Sequence, residues 1–132
     1  MTRGLLDTSV LIARDDEPQL ESVFPEEVAI SVATLAELHY GVLVAKDELT
    51  RKHRLRRLGV IEAAFEPIPI DTAIARAFAS LAHEVKSAGR QPRGRVMDLW
   101  IAATAMALRL PLYTRNADDF KGLQQLVEVR IV

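Results

Sequence analysis

Apolar residues in this chain gather into short runs separated by charged or turn-forming stretches. Five runs have the length of buried strands: Gly4 to Leu6, Val28 to Ser31, Phe65 to Ile70, Leu112 to Thr114 and Val127 to Val132. Between them, apolar positions recur at helical spacing. In "DTAIARAFASLAHEVKSAG", Asp71 or Thr72 can cap the start, Gly89 can end the helix, and Ile74, Phe78, Leu81 and Val85 form one stripe. A second helix is predicted from about Val96 to Leu110, stopping before Pro111, and a third carries Ala33 through Val44. Strands alternating with helices imply right-handed crossovers. The expected fold is therefore α/β, three layers (α/β/α), with a central, mostly parallel sheet of about five strands.

A length of 132 residues suits a single domain, 1–132, and 49% hydrophobic with 27% charged residues places it in the globular class. Cysteine is absent, which removes disulfides, thiolate nucleophiles and Cys-type zinc sites. No signal-peptide core precedes Asp7, and the longest uncharged stretch, Leu99 to Leu108, is too short to span a bilayer. A cytoplasmic protein with no membrane partner is expected. The net charge of −1 argues against a constitutive coat on nucleic acid. Two segments run against that balance: "RKHRLRR" (51–57) and "KSAGRQPRGR" (86–95) are basic and contain no acid.

Four acidic signals interrupt the apolar pattern. Asp7, in "LLDTSVLIA", stands at the carboxyl end of the first strand, where parallel sheets place their ligand crevice. The hydroxyls of Thr8 and Ser9 can bond its oxygens or a bound water. Glu37, in "SVATLAELHYG", lies four residues from both Ala33 and Gly41, whose small side chains leave room beside it. Asp98 is the one acid in "RVMDLWIAATAMAL", an otherwise apolar helix, with Ala102 and Ala105 continuing its face. In "YTRNADDF", Asp118 and Asp119 both qualify, and spacing does not choose between them.

Each acid also has a purely structural reading. Asp7 can cap the next helix, Thr34 to Glu37 matches a capping box, Asp98 suits a helix start, and either of Asp118 and Asp119 can cap a turn. Their joint placement is harder to explain that way. Three follow strands of one sheet and the fourth begins a helix leading to such a strand, so all can meet in one crevice. Carboxylates that converge repel unless a cation compensates, and an all-oxygen set favours Mg²⁺ or Mn²⁺. Such sites typically serve phosphoryl transfer. "KSAGRQPRGR" leads into Asp98, so Arg90, Arg93 and Arg95 can hold an RNA backbone at the crevice mouth, and Arg115 beside Asn116 is a further candidate. "RKHRLRR" reads more simply as a solvated helix face. Trp100 and Phe120 read as core, and the three histidines form no ligand set.

Taken in order, "LLDTSVLIA", "SVATLAELHYGV", "RVMDLWIAATA" and "YTRNADDF" resemble the PIN-domain proteins and, more narrowly, the VapC ribonuclease toxins of VapBC toxin–antitoxin pairs. The likeness covers nearly the whole chain. It implies an active-site quartet of Asp7, Glu37, Asp98 and Asp119, the pattern T-x-N-x-x-D-F selecting Asp119 over Asp118. Thr114 and Asn116 would support the cluster through hydrogen bonds. It further implies a Mg²⁺- or Mn²⁺-dependent endoribonuclease that cuts structured RNA such as tRNA or rRNA, leaves a 5′-phosphate and inhibits translation. A VapB-type antitoxin partner and a homodimer within the complex are implied as well. The alternatives are a PIN-fold module that binds RNA or protein without cutting, and a small phosphohydrolase, which the lack of D-x-D after the first strand disfavours.

Overall fold

In a computed structural model describing residues 2–132, β1 (Arg3–Leu6) runs through the middle of the sheet. β2 (Glu27–Ala29) flanks it on one side and β3 (Leu112–Thr114) on the other, with β4 (Val129–Ile131) outermost, giving the order β2-β1-β3-β4. All pairings are parallel, with Leu5 opposite both Ala29 and Leu112, and Thr114 opposite Ile131. Five helices surround the sheet: α1 (Thr8–Asp16), α2 (Val32–Leu43), α3 (Glu48–Ala64), α4 (Thr72–Ser87) and α5 (Val96–Leu108).

Successive strand side chains point to opposite faces, which divides the core in two. Leu5 and Leu112 pack with α4 and α5 around Leu81, Leu99 and Ile101. Their neighbours Leu6 and Tyr113 pack the other way, with Val10, Leu11, Leu58 and Ile61 of α1 and α3. Gly4 permits this. A Cβ there would stand 2.5 Å from Cε1 of the Tyr113 ring, so only glycine lets the ring cross the central strand.

The sheet has four strands where about five were expected. The run from Phe65 to Ile70 touches its edge only through a bridge between Ser31 and Ile68. Ile68 donates to the Ile30 carbonyl at 2.9 Å and accepts from the Val32 amide at 3.1 Å. The ladder ends there because its partner segment turns into α2 at Val32, capped by Ser31, and the prolines at 67 and 69 leave the outward side of this segment without amide donors.

Helix ends follow their signals closely. Asp71, not Thr72, caps α4, its Oδ1 accepting from the Ile74 amide at 2.9 Å. Gly89, at φ +80°, closes the other end, where Arg90 donates to the Val85 carbonyl and Gly89 to that of Lys86. α2 begins at Val32 because Ser31 Oγ accepts from the Ala33 amide at 3.0 Å. α5 ends two residues before the expected Leu110, and Arg109 takes the left-handed φ of 55°. Among the described residues no helix is long and apolar enough to cross a membrane.

From β1 the chain crosses to β2 on one side and later returns to β3 on the other. The winding reverses at β1. Parallel sheets open a crevice at such a point, beyond the carboxyl ends of the two diverging strands, here Asp7 and Thr114.

Candidate active site

Asp7 leaves β1 with its amide still bonded to the Tyr113 carbonyl at 2.9 Å, so its side chain is aimed by the sheet itself. It is 3% exposed. It occupies the N-cap position of α1 but makes no side-chain capping bond, so capping does not explain it. Its Oδ2 instead accepts from Ser9 Oγ at 2.7 Å and Thr114 Oγ1 at 2.9 Å. Those hydroxyls are fixed in turn. Ser9 Oγ accepts from the Arg115 amide at 3.1 Å, and Thr114 Oγ1 from the Asn116 amide at 2.9 Å. Burial pushes the Asp7 carboxyl above its ordinary range, and the Ser9 and Thr114 donors offset part of that.

Thr8 turns elsewhere. Its hydroxyl donates to Glu37 Oε1 at 2.7 Å and lies 3.0 Å from Thr34 Oγ1, pinning α1 to α2 at the site. Glu37 therefore does not reach back as in a capping box. Ser31 caps the helix, and Thr34 is fully buried against Thr8. Thr34 is a supporting residue that the sequence pattern disguised, because its spacing to Glu37 imitates the box. Gly41 leaves open space on this face: a Cβ there would meet nothing within 4 Å. The Glu37 carboxyl is raised by burial and by repulsion from Asp7 and Asp119, against the Thr8 hydrogen bond.

Asp98 stands in the first turn of α5, above the buried Ala102 and Ala105. It is pushed up to about 7, first by burial, then by repulsion from Asp119, Asp7 and Glu37, with Arg95 opposing weakly. Four acids far apart in the chain thus share one electrostatic environment. Asp119 belongs to a single 3₁₀ turn, Ala117–Phe120, that the fully buried Phe120 anchors in the core, whereas Asp118 is exposed.

The arginines divide. Arg95 Nη1 donates to the carbonyls of Asp119 at 2.9 Å and Asp118 at 3.2 Å, tying that turn to the start of α5. Arg90 reaches the Lys121 carbonyl at 3.4 Å, and Arg93 is exposed. Arg115 is engaged structurally, with Glu17 Oε2 at 2.8 Å and the Val132 carbonyl at 3.0 Å. Asn116 supports the cluster through its main chain, donating to Thr114 and accepting from the Asp119 amide at 3.0 Å. From the other basic segment, Arg54 and Arg57 border the site beside Glu37, which its reading as a solvated face did not anticipate.

The donor set is all oxygen and strongly self-repelling, which suits a hard divalent cation. Among the described residues no three His, Cys, Asp or Glu side chains are gathered tightly enough to grip one ion directly.

The PIN domain family model matches residues 4–125. The chain belongs to the PIN-domain family. Within it, the chain is 43% identical over 130 residues to ribonuclease VapC5 of Mycobacterium tuberculosis, covering 98% of this chain and 93% of that protein. Ribonuclease VapC1 of Methanocaldococcus jannaschii is 32% identical over 124 residues, covering 92% and 81% respectively. The crystal structure of VapBC-5, a member of the VapBC family of toxin–antitoxin systems from M. tuberculosis, superposes with a TM-score of 0.82 at 41% identity, covering 100% of this chain and 98% of that one. This PIN domain is thus a VapC homologue in sequence and in fold.

Proposed function

We propose that this PIN domain is the toxin of a toxin–antitoxin pair, a Mg²⁺- or Mn²⁺-dependent endoribonuclease that cuts structured RNA such as tRNA or rRNA and so inhibits translation. The observation that carries the reading is the electrostatic one: Asp98 lies within the electrostatic reach of Asp119, Asp7 and Glu37, and burial together with these acidic neighbours drives it to about 7. Repulsion that retains a proton at neutral pH equally favours a cation in its place. Such an ion, when bound, supplies charge neutralisation at the phosphate and acidifies a coordinated water.

Asp7 and Asp98 would hold the ion, with Glu37 and Asp119 completing the cluster directly or through water. Ser9 and Thr114 keep Asp7 in one orientation, and Thr8 does the same for Glu37. In hydrolysis the water oxygen bonds to phosphorus, the P–O3′ bond breaks and the proton passes to the departing O3′, leaving a 5′-phosphate. The carboxylates orient the water for in-line attack.

VapC5 is named a ribonuclease, and the solved homologue comes from a toxin–antitoxin complex. A VapB-type antitoxin is accordingly the proposed partner. Exposed apolar side chains on neighbouring helices, Tyr40 and Leu43 on α2 and Leu49 on α3, are of the kind a protein partner covers. The test is cleavage of labelled bulk tRNA and rRNA by the purified chain. With Mn²⁺ the wild type should cut, and EDTA, Asp7→Asn or Asp98→Asn should reduce the rate by at least about a hundredfold while the far-ultraviolet dichroism stays native. RNA retained by the wild type without cutting would support the binding-module alternative. Cleavage undiminished in the Asn variants would refute the quartet.

A further inference from the structure

The basic segment 51–57 is not uniformly solvated. Arg54 and Arg57, three residues apart on α3 and so on one face, border a cavity of about 320 Å³ whose other walls include Thr8 and Ile12 of α1 and Glu37 and Gly41 of α2. One wall of this cavity therefore carries Glu37, a single member of the acidic quartet, and another is cationic. Arg54 is braced there by the Gly41 carbonyl, 2.7 Å from Nη1.

Arg57 is held less completely. Its side chain is only 12% exposed, and its nearest acid, Asp15, lies 3.5 Å from Nη1, at the limit of a hydrogen bond. Its Nε is, among the described residues, the one buried side-chain polar atom with no partner. The Arg57 guanidinium is thus under-partnered and keeps donor capacity at the wall of the cavity it lines. The planar fork of arginine matches phosphate oxygens.

The surroundings choose a polyanion over a single carboxylate. Arg57 also borders a second hollow of about 220 Å³, shared with Arg14, His53 and Arg56 and with one acid, Asp15. His53 and Arg56 in turn border a third, about 580 Å³, that reaches Lys52. Basic side chains thus line successive hollows along α3, leading away from Glu37, as a nucleic-acid backbone requires.

We propose that Arg54 and Arg57 form a phosphate subsite that takes a backbone phosphate flanking the bond to be cut and leads the RNA strand out along α3. The proposal rests on the ribonuclease reading. Both arginines are positioning residues, and their effect belongs in binding more than in chemistry.

The test uses the full chain and labelled bulk tRNA, with Asp98→Asn as the uncleaving background for binding. Replacing both residues, Arg54→Gln with Arg57→Gln, should flatten the plot of log affinity against log salt by about 0.7 to 0.9, for the one phosphate no longer neutralised. In the cleaving protein the same pair should raise KM about tenfold or more and leave kcat within about twofold. The double lysine variant should restore the salt slope, since charge is retained, without restoring the full affinity. Should the double glutamine variant melt early, Arg54→Gln alone carries the test with half the change in slope. An unchanged slope and KM in folded variants would overturn the subsite. So would loss of antitoxin binding with RNA affinity intact, which would assign the cavity to the protein partner. If the wild type cuts no RNA, the activity fails and the salt slope alone still decides the subsite.

Discussion

Asp98 retains its proton in the folded chain up to about pH 7, whereas an unfolded aspartate releases it near 3.8. Between those values the folded state binds the additional proton, so stability is lost as the pH rises towards 7 and levels off above it. Asp7 and Glu37, raised chiefly by burial, tilt the curve in the same direction. In EDTA, then, the melting temperature should fall from pH 5 to pH 8, and Asp98→Asn should both flatten that fall and melt higher than the wild type at pH 8. Thermal denaturation across that range checks it, and a melting temperature that rises towards pH 8 would contradict it. At this scale Asp7, Glu37 and Asp98 stood out because each breaks an apolar pattern, whereas Asp119 was set apart from Asp118 only by the resemblance. The assignment of hydroxyls was not readable. Thr8 serves Glu37 rather than Asp7 because α1 packs on α2, a contact between residues 29 apart that no local pattern encodes.

Elements were predictable where local chemistry decides them and misjudged where neighbours do. The ends of α4 followed from Asp71 and Gly89, since a cap and a left-handed residue are local requirements. The strand expected over 65–70 shrinks to one bridge because its partner segment becomes helical at Val32, a tertiary circumstance that an apolar count does not see. α5 ended early because its last turn closes like that of α4: Leu110 donates to the Ala105 carbonyl at 2.9 Å and Arg109 to that of Met106 at 3.2 Å, with Arg109 where α4 has glycine. A non-glycine residue in that conformation costs about 1 kcal/mol. Arg109→Gly should therefore raise the unfolding free energy by about 0.5 to 1 kcal/mol, and Gly89→Ala, which forces the same strain on α4, should lower it by about 1 kcal/mol. Urea midpoints at an unchanged slope would check both, and equal midpoints for all three proteins would remove the strain argument.

For the molecule as a whole, the site is a property of the complete fold. Its carboxyls come from β1, α2, α5 and the 117–120 turn, and the unfolded chain scatters them. An ion that binds the assembled cluster therefore binds the native state alone and stabilises it by mass action, by about 2.7 kcal/mol at a hundredfold excess over its dissociation constant. The same assembly is a liability without the ion, because folding must force the carboxyls together against their repulsion. These two consequences predict a reversal. At pH 8 in EDTA, Asp98→Asn should be more stable than the wild type, since it removes one repelling charge; in millimolar Mn²⁺ the order should invert, because only the wild type keeps the full charge that draws the ion. Melting curves of both proteins under both conditions test the cation reading without measuring catalysis. If Mn²⁺ moves neither curve, the acids are compensated by something other than a divalent ion. If it moves both equally, Asp98 is not among the groups that hold it.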